Sequence, residues 1–220
     1  MRLVFYLLYH PFAFTYDLVA ATVSLGRWKD WVLSVIPFIK GTRVLEIGHG
    51  PGHLQRALLS RGLIAVGLDE SATMGHLAKR NLTRFFNSKT DSKSRNAYAQ
   101  IKLVRGVAQH LPFPNETFDS LVATFPSEYI FDTHTLTEAN RVLTVHGCFI
   151  ILPSATLLGR GVLDRVMALL FHITGQTAPD IPNMLRERIK GPFAQAGFHV
   201  QIHELSIQSS LVFIIVATKS

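Results

Sequence analysis

The most constraining stretch of the chain is Val44-Leu45-Glu46-Ile47-Gly48-His49-Gly50-Pro51-Gly52-His53-Leu54. A short apolar run carrying one acid is followed by three glycines at alternate positions. The run reads as a buried strand, and the glycines as a tight turn into a helix that starts near His53. Glycine has no Cβ, so the backbone there takes φ > 0 and lets a ligand come close. The helix beyond aims its unpaired N–H groups at whatever lies over the turn. The next apolar run, Ile64-Ala65-Val66-Gly67-Leu68, ends at Asp69. An acid about 20 residues beyond a glycine turn is where a nucleotide-type ribose is gripped.

The pattern is E-x-G-x-G-x-G rather than G-x-G-x-x-G, and on it the chain resembles the class I S-adenosylmethionine (SAM)-dependent methyltransferases. Three further segments carry the likeness, in family order. Arg105-Gly106-Val107-Ala108-Gln109-His110-Leu111-Pro112-Phe113 resembles the adenine-contacting segment after the third strand. Phe118 to Phe125 resembles the fourth strand with its leading Phe-Asp. Ala139 to Ile151, with Arg141-Val142-Leu143, resembles the run into the fifth. The resemblance spans residues 42–152. It implies an α/β fold: a doubly wound, mostly parallel seven-stranded sheet with an antiparallel last strand. It also implies SAM as cofactor.

Residue roles follow from that resemblance only at matching positions. Gly48, Gly50 and Gly52 hold the loop under the methionine part of SAM, and Glu46 orients that loop. Asp69, followed by Glu70, takes the ribose hydroxyls. Met74 lies near the adenosine. Val107 stands where many relatives have an acid, so the adenine contact passes to Ala108 or Gln109. Phe125 flanks the sulfonium or the acceptor, since an aromatic face attracts a cation. For Glu46 the alternative is a brace for the loop, and for Phe125 a core side chain.

At 220 residues the chain is long enough for one domain with a full core. The expected divisions are a helical leader or cap (1–40), a SAM-binding core (41–152), an acceptor-side helical insertion (153–190), and a closing helix and strands (191–220). The leader is rich in aromatics. Thr15-Tyr16-Asp17-Leu18 and Ser24 to Lys29 resemble the leader of the ubiquinone/menaquinone and phosphatidylethanolamine methyltransferases, a likeness that places Tyr16 at the acceptor.

Within the core, helices are expected over 53–61, 71–86 (Ser71 as N-cap) and 133–143, and strands over 64–68, 101–104, 119–124 and 148–152. Pro153 is expected to halt the last of these. Asn87 to Asn96 is polar and serine-rich and reads as a mobile loop. Residues 185–196 read as helix, and 197–200 and 211–218 as closing strands.

Charge and composition leave the acceptor open. The formal net charge is +7, and 48% of the residues are hydrophobic. Between Lys79 and Arg105 eight Lys or Arg residues stand against Asp91 alone. That stretch reads either as a solvated face or as a contact for phospholipid headgroups or nucleic acid. The N/D-P-P-Y/F motif of nucleic-acid amino-methyltransferases is missing after the fourth strand, where Thr124-Phe125-Pro126-Ser127 stands, so a nucleic-acid partner is the lesser reading. The stretch after strand five, with Leu157, Leu158, Val162 and Leu163, reads as a broad apolar helix; the family resemblance implies that it covers an apolar acceptor, and the alternative is a helix buried against the leader or in a dimer contact. An aminophospholipid leads, with a quinone or other aromatic small molecule next, and a SAM-fold protein that binds nucleic acid, or binds SAM without catalysis, as readings of another class.

The single cysteine, Cys148, reads as a buried core thiol. No apolar stretch reaches the roughly 20 residues needed to span a bilayer. The chain reads as cytoplasmic, with a peripheral place at an anionic membrane surface as a variant of that reading. Methyl transfer needs alignment more than a motif. Where the acceptor must lose a proton, the candidate bases are His134, Tyr16, Tyr129, His110 and Glu128. The histidines are scattered, and no metal site is indicated.

Overall fold

The computed structural model describes residues 27–88, 92–157 and 189–220. Tyr16, the rest of the leader before Arg27, and most of the expected insertion lie outside the described residues.

Helix α1 (Trp28–Leu33) and a 3₁₀ turn lead into strand β1 (Arg43–Ile47). The core then runs α2 (His53–Ser60), β2 (Ile64–Asp69), α3 (Ala72–Asn87), α4 (Ser92–Ala99), β3 (Lys102–Arg105), β4 (Phe118–Thr124), α5 (Thr133–Val142) and β5 (Leu143–Leu157). Residues 189–195 are helical, and the chain closes with β6 (Phe198–Ile207) and β7 (Ser210–Lys219).

The seven described strands form one sheet in the order β3-β2-β1-β4-β5-β7-β6. Its first five strands are parallel, and β7 runs antiparallel between β5 and β6. Alternation along each strand divides the core into two layers. Leu45, Leu121, Phe149 and Ile151 face Leu136 and Ala139 of α5 and Phe193. Val44, Val122, Cys148 and Ile150 face Trp31, Leu54, Leu58, Leu82 and Phe86 on α1 to α3. Cys148 is buried with its Sγ 3.3 Å from Ser120 Oγ, as the core-thiol reading expected. Ser71 caps α3 by accepting the Met74 N–H at 3.3 Å.

Two local expectations are corrected. Residues 92–99 form helix α4, not part of a loop, and Ala97, 5% exposed, belongs to the second layer. Packing overrides a weak intrinsic propensity there. Strand β5 also starts at Leu143 and continues through Pro153 to Leu157. Its register against β7 shifts between Ile151↔Ile215 and Ser154↔Phe213, so Leu152 and Pro153 together oppose Ile214. At such a bulge a residue without an N–H leaves no ladder bond unmade, so proline does not end the strand.

Candidate functional site

The strand order turns back between β1 and β4. In an open α/β sheet the crevice outside the strand ends at that point is where ligands bind. The glycine turn follows β1 into this crevice, Asp69 closes β2, and Phe125 follows β4.

Gly48, Gly50 and Gly52 have φ of +73°, +50° and +87°. All three lie in the left-handed region that only glycine visits cheaply. The Gly48 N–H donates to the Leu68 carbonyl at 2.7 Å, and the Gly52 N–H to the His49 carbonyl at 3.0 Å. No side chain caps the first turn of α2, whose N-cap is the last of the three glycines. A Cβ placed on Gly48 would stand 3.0 Å from the Tyr129 hydroxyl. Tyr129 therefore reaches across the crevice from the β4 side onto the bare backbone of the β1 side.

Asp69 holds the loop as well as facing the crevice. Its Oδ2 accepts the Gly50 N–H and its Oδ1 the Ser71 N–H, both at 2.9 Å. One carboxylate so ties the turn after β1 to the start of α3. Each of its oxygens can accept a second hydrogen bond, which leaves capacity for two ribose hydroxyls. The Gly106 N–H donates to the Asp69 carbonyl at 3.1 Å, drawing the segment after β3 alongside. In that segment Ala108 is buried and Gln109 half-buried.

Glu46 is 2% exposed and accepts a hydrogen bond from Gln55 Nε2 at 2.9 Å. Burial pushes its carboxyl up to about 8; the Gln55 bond opposes this and the Asp69 charge adds to it. His49, 3% exposed, sets Nδ1 2.8 Å from the Gly50 carbonyl, and burial holds its pKa below the ordinary value against the pull of Asp69. His49 also packs on Gly67, where a Cβ would meet its ring at 2.9 Å.

The other expected residues are more scattered. Met74 is buried within α3, at 2% exposure, and Glu70 is exposed at the end of β2. Phe125 has φ of +50°, uncommon for a bulky residue, while its N–H still donates to the Leu152 carbonyl at 2.7 Å. Its ring stacks on Trp28 at 4.2 Å and lies 6.2 Å from Trp31, so helix α1 covers one face of it. Gln208, at the β6–β7 turn, donates to Asp30 of α1 at 3.1 Å. His134 is exposed in the first turn of α5, its own N–H taken by Asp132 Oδ1 at 2.7 Å.

Three contributors escaped the sequence reading. His49 lies in the glycine stretch and Gln55 just beyond it, and neither carries a pattern of its own. Arg141 donates to the Leu111 and Phe113 carbonyls at 2.9 and 2.7 Å and to Glu138 at 2.7 and 2.8 Å, while Glu138 accepts the Leu111 N–H at 2.8 Å. This pair clamps the link between β3 and β4. The opposite charges three residues apart on a predicted helix were a usable signal for it.

Lys79, Arg80 and Arg84 are exposed along α3. Among the described residues no helix is long and apolar enough to cross a membrane, and no His, Cys, Asp and Glu cluster is placed to hold a metal.

The family model described as a methyltransferase domain matches residues 45–151. Over those residues, just under half of the chain, the sequence carries a methyltransferase domain, and the relatives it resembles include demethylmenaquinone and ubiquinone/menaquinone biosynthesis methyltransferases. It is 29% identical over 140 residues to a demethylmenaquinone methyltransferase of Thermobifida fusca, covering 62% of this chain and 55% of that one. It is 31% identical over 144 residues to the demethylmenaquinone methyltransferase of Lactiplantibacillus plantarum, covering 62% and 56%. The chain thus spans about half the length of the curated relatives it matches. A solved SAM-dependent methyltransferase of Methanosarcina mazei shares the fold, with a TM-score of 0.55 at 19% identity, covering 84% of this chain and 96% of that one.

Proposed function

We propose that the protein transfers a methyl group from SAM to a small, apolar acceptor with a quinone-like or other aromatic ring. The observation that carries the donor half is Asp69 bonded to the Gly50 N–H. That bond sets a ribose-binding acid and a bare backbone cradle side by side at the sheet's switch point. Asp69 flanks the cradle and Glu46 lies buried beneath it, and no ion pair to either is found among the described residues. An acidic crevice of this kind suits a ligand that bears a sulfonium and an ammonium.

For the acceptor, relatives named for demethylmenaquinone support the quinone reading over the aminophospholipid one. The aromatic residues at the end of β4 agree with it. Phe125 and Tyr129 put an aromatic ring and a phenol beside the crevice, and a planar ring gains about 0.5–1.5 kcal/mol from aromatic contact beyond the area it buries.

When bound, SAM supplies an activated methyl carbon open to in-line attack. The chain contributes alignment and exclusion of water, worth ~7–11 kcal/mol in well-oriented pairs. In this reading Asp69 and the glycine turn hold the donor, and the β4 edge orients the acceptor. Tyr129, whose hydroxyl already lies over Gly48, is the candidate to hold or accept the acceptor's proton. His134 and Tyr16 remain proposals for the same task.

The test is transfer of a labelled methyl group from SAM to demethylmenaquinone and, in parallel, to phosphatidylethanolamine vesicles. Label on the quinone supports the reading. Label on the lipid alone overturns the acceptor assignment, and failure to bind SAM by calorimetry overturns the donor assignment.

A further inference from the structure

Beneath the glycine turn lies a buried cluster with too few donors. Glu46 is 2% exposed and Gln55 1%. The Gln55 amide nitrogen donates to Glu46 Oε2 at 2.9 Å and to the Val66 carbonyl at 3.3 Å, which uses both of its hydrogens. Gln55 Oε1 is buried and has no hydrogen-bond partner. Among the described residues no Lys, Arg or His forms an ion pair with Glu46. A carboxylate out of water with neither a cation nor enough donors is costly. The cluster lacks one positive charge or one proton.

Few charged groups face it. From β2 comes Asp69, whose negative charge favours a proton on Glu46. From α2 comes only the neutral amide of Gln55. From the turn comes His49, whose Nδ1 is engaged by the Gly50 carbonyl and whose burial disfavours its charged form. None of these supplies the missing cation.

We propose that Glu46 is a proton-exchange group of the donor site, neutral in the free protein and ionised when a cationic donor lies on the glycine turn, with Gln55 as its positioning residue. The balance is simple. The neutral carboxyl of Glu46 gives one proton to solvent, and the ammonium of the ligand's amino-acid end takes over the role of that proton. Gln55 serves both states, as an amide donates to the ionised acid and, turned over, accepts from the neutral one. The inference rests on SAM occupying the crevice as proposed above.

Calorimetric titration with SAM in buffers of different ionisation enthalpy, at about pH 7, tests it. The wild type should release about one proton more per SAM bound than Glu46→Gln does. The difference removes the contribution of the ligand's own amine. Its affinity, relative to that of Glu46→Gln, should fall about tenfold per unit of pH below the midpoint of release. Gln55→Met should move that midpoint upward, because the ionised acid loses its donor; a purely structural role would lower stability and leave the midpoint in place. Equal proton release by the wild type and Glu46→Gln, with SAM bound by both, overturns the proposal.

A ligand-free measurement separates this from the functional reading. A carboxyl with a raised folded pKa favours folding most below its ordinary value of 4.5, and that contribution is lost as pH rises towards about 8. The wild type should lose stability across that window relative to Glu46→Gln. If it does so while binding no SAM, the functional reading fails and the protonated free state stands. If the two profiles coincide, the proton was never there.

Discussion

The two sides of the crevice are built differently. On the side proposed for the donor, β1, the glycine turn and β2 are joined by backbone hydrogen bonds and by one carboxylate that takes two N–H groups. Every part lies between Glu46 and Ser71, and each does one task that few other residues can do. On the side proposed for the acceptor, Phe125 after β4 meets Trp28 and Trp31 from α1, and the β6–β7 turn reaches α1 through Gln208 and Asp30. Those parts are far apart in the chain and interact through ring faces that many aromatic residues offer. The contrast predicts that the first side tolerates little substitution, while the second can vary without loss of the fold.

The sharpest way to break that contrast is Asp69→Ala. It removes two hydrogen bonds to a charged group, each worth ~1.5–3 kcal/mol, besides any ribose contact. SAM binding should fall below detection by calorimetry, and unchanged affinity would remove Asp69 from the donor site.

Gly48→Ala should come next. A left-handed φ costs an alanine about 1–2 kcal/mol, and the new methyl presses on the Tyr129 hydroxyl. SAM affinity should drop by about tenfold or more, where ~1.4 kcal/mol is one factor of ten. Adding Tyr129→Phe should restore only part of it, because the backbone strain remains.

Trp28→Ala probes the other side. It removes a stacked pair worth ~0.5–1.5 kcal/mol beyond its area. The acceptor KM should rise several-fold, with the SAM dissociation constant within about twofold of wild type. An equal loss in both would show that the two sides are not separable.

The smallest effect belongs to the clamp on the β3–β4 link. Hydrogen bonding to Arg141, helped by the Leu111 N–H, holds the Glu138 carboxyl below its ordinary 4.5. A depressed folded pKa favours folding above the unfolded value, and that contribution is lost as pH falls through the folded one. Thermal stability of the wild type should therefore fall on acidification below about 4.5, and Glu138→Gln should show less of that dependence.

The donor side was the legible one. Alternating glycines, an acid at the next strand end and a serine at the head of α3 each state a local backbone requirement. Local requirements are written in neighbouring residues. The β4 edge was legible only as an aromatic at a suggestive position, since the partners of Phe125 depend on where α1 lands. Helix α4 and the passage of β5 through Pro153 were misread for a related reason. Propensity argues against both, and packing and a bulge permit both.

By itself, then, the order of residues determined the strand–turn–helix unit, the acids at its strand ends and the class of sheet that contains it. Such features follow from the backbone freedom of single residues and from a period of two or 3.6 along the chain. Tertiary structure alone decided that Asp69 binds its own loop, that Gln55 shares a dry pocket with Glu46 and that Arg141 pins the β3–β4 link. Those are matters of distance and burial between strands and helices, and the charge state of an acid depends on what surrounds it in space.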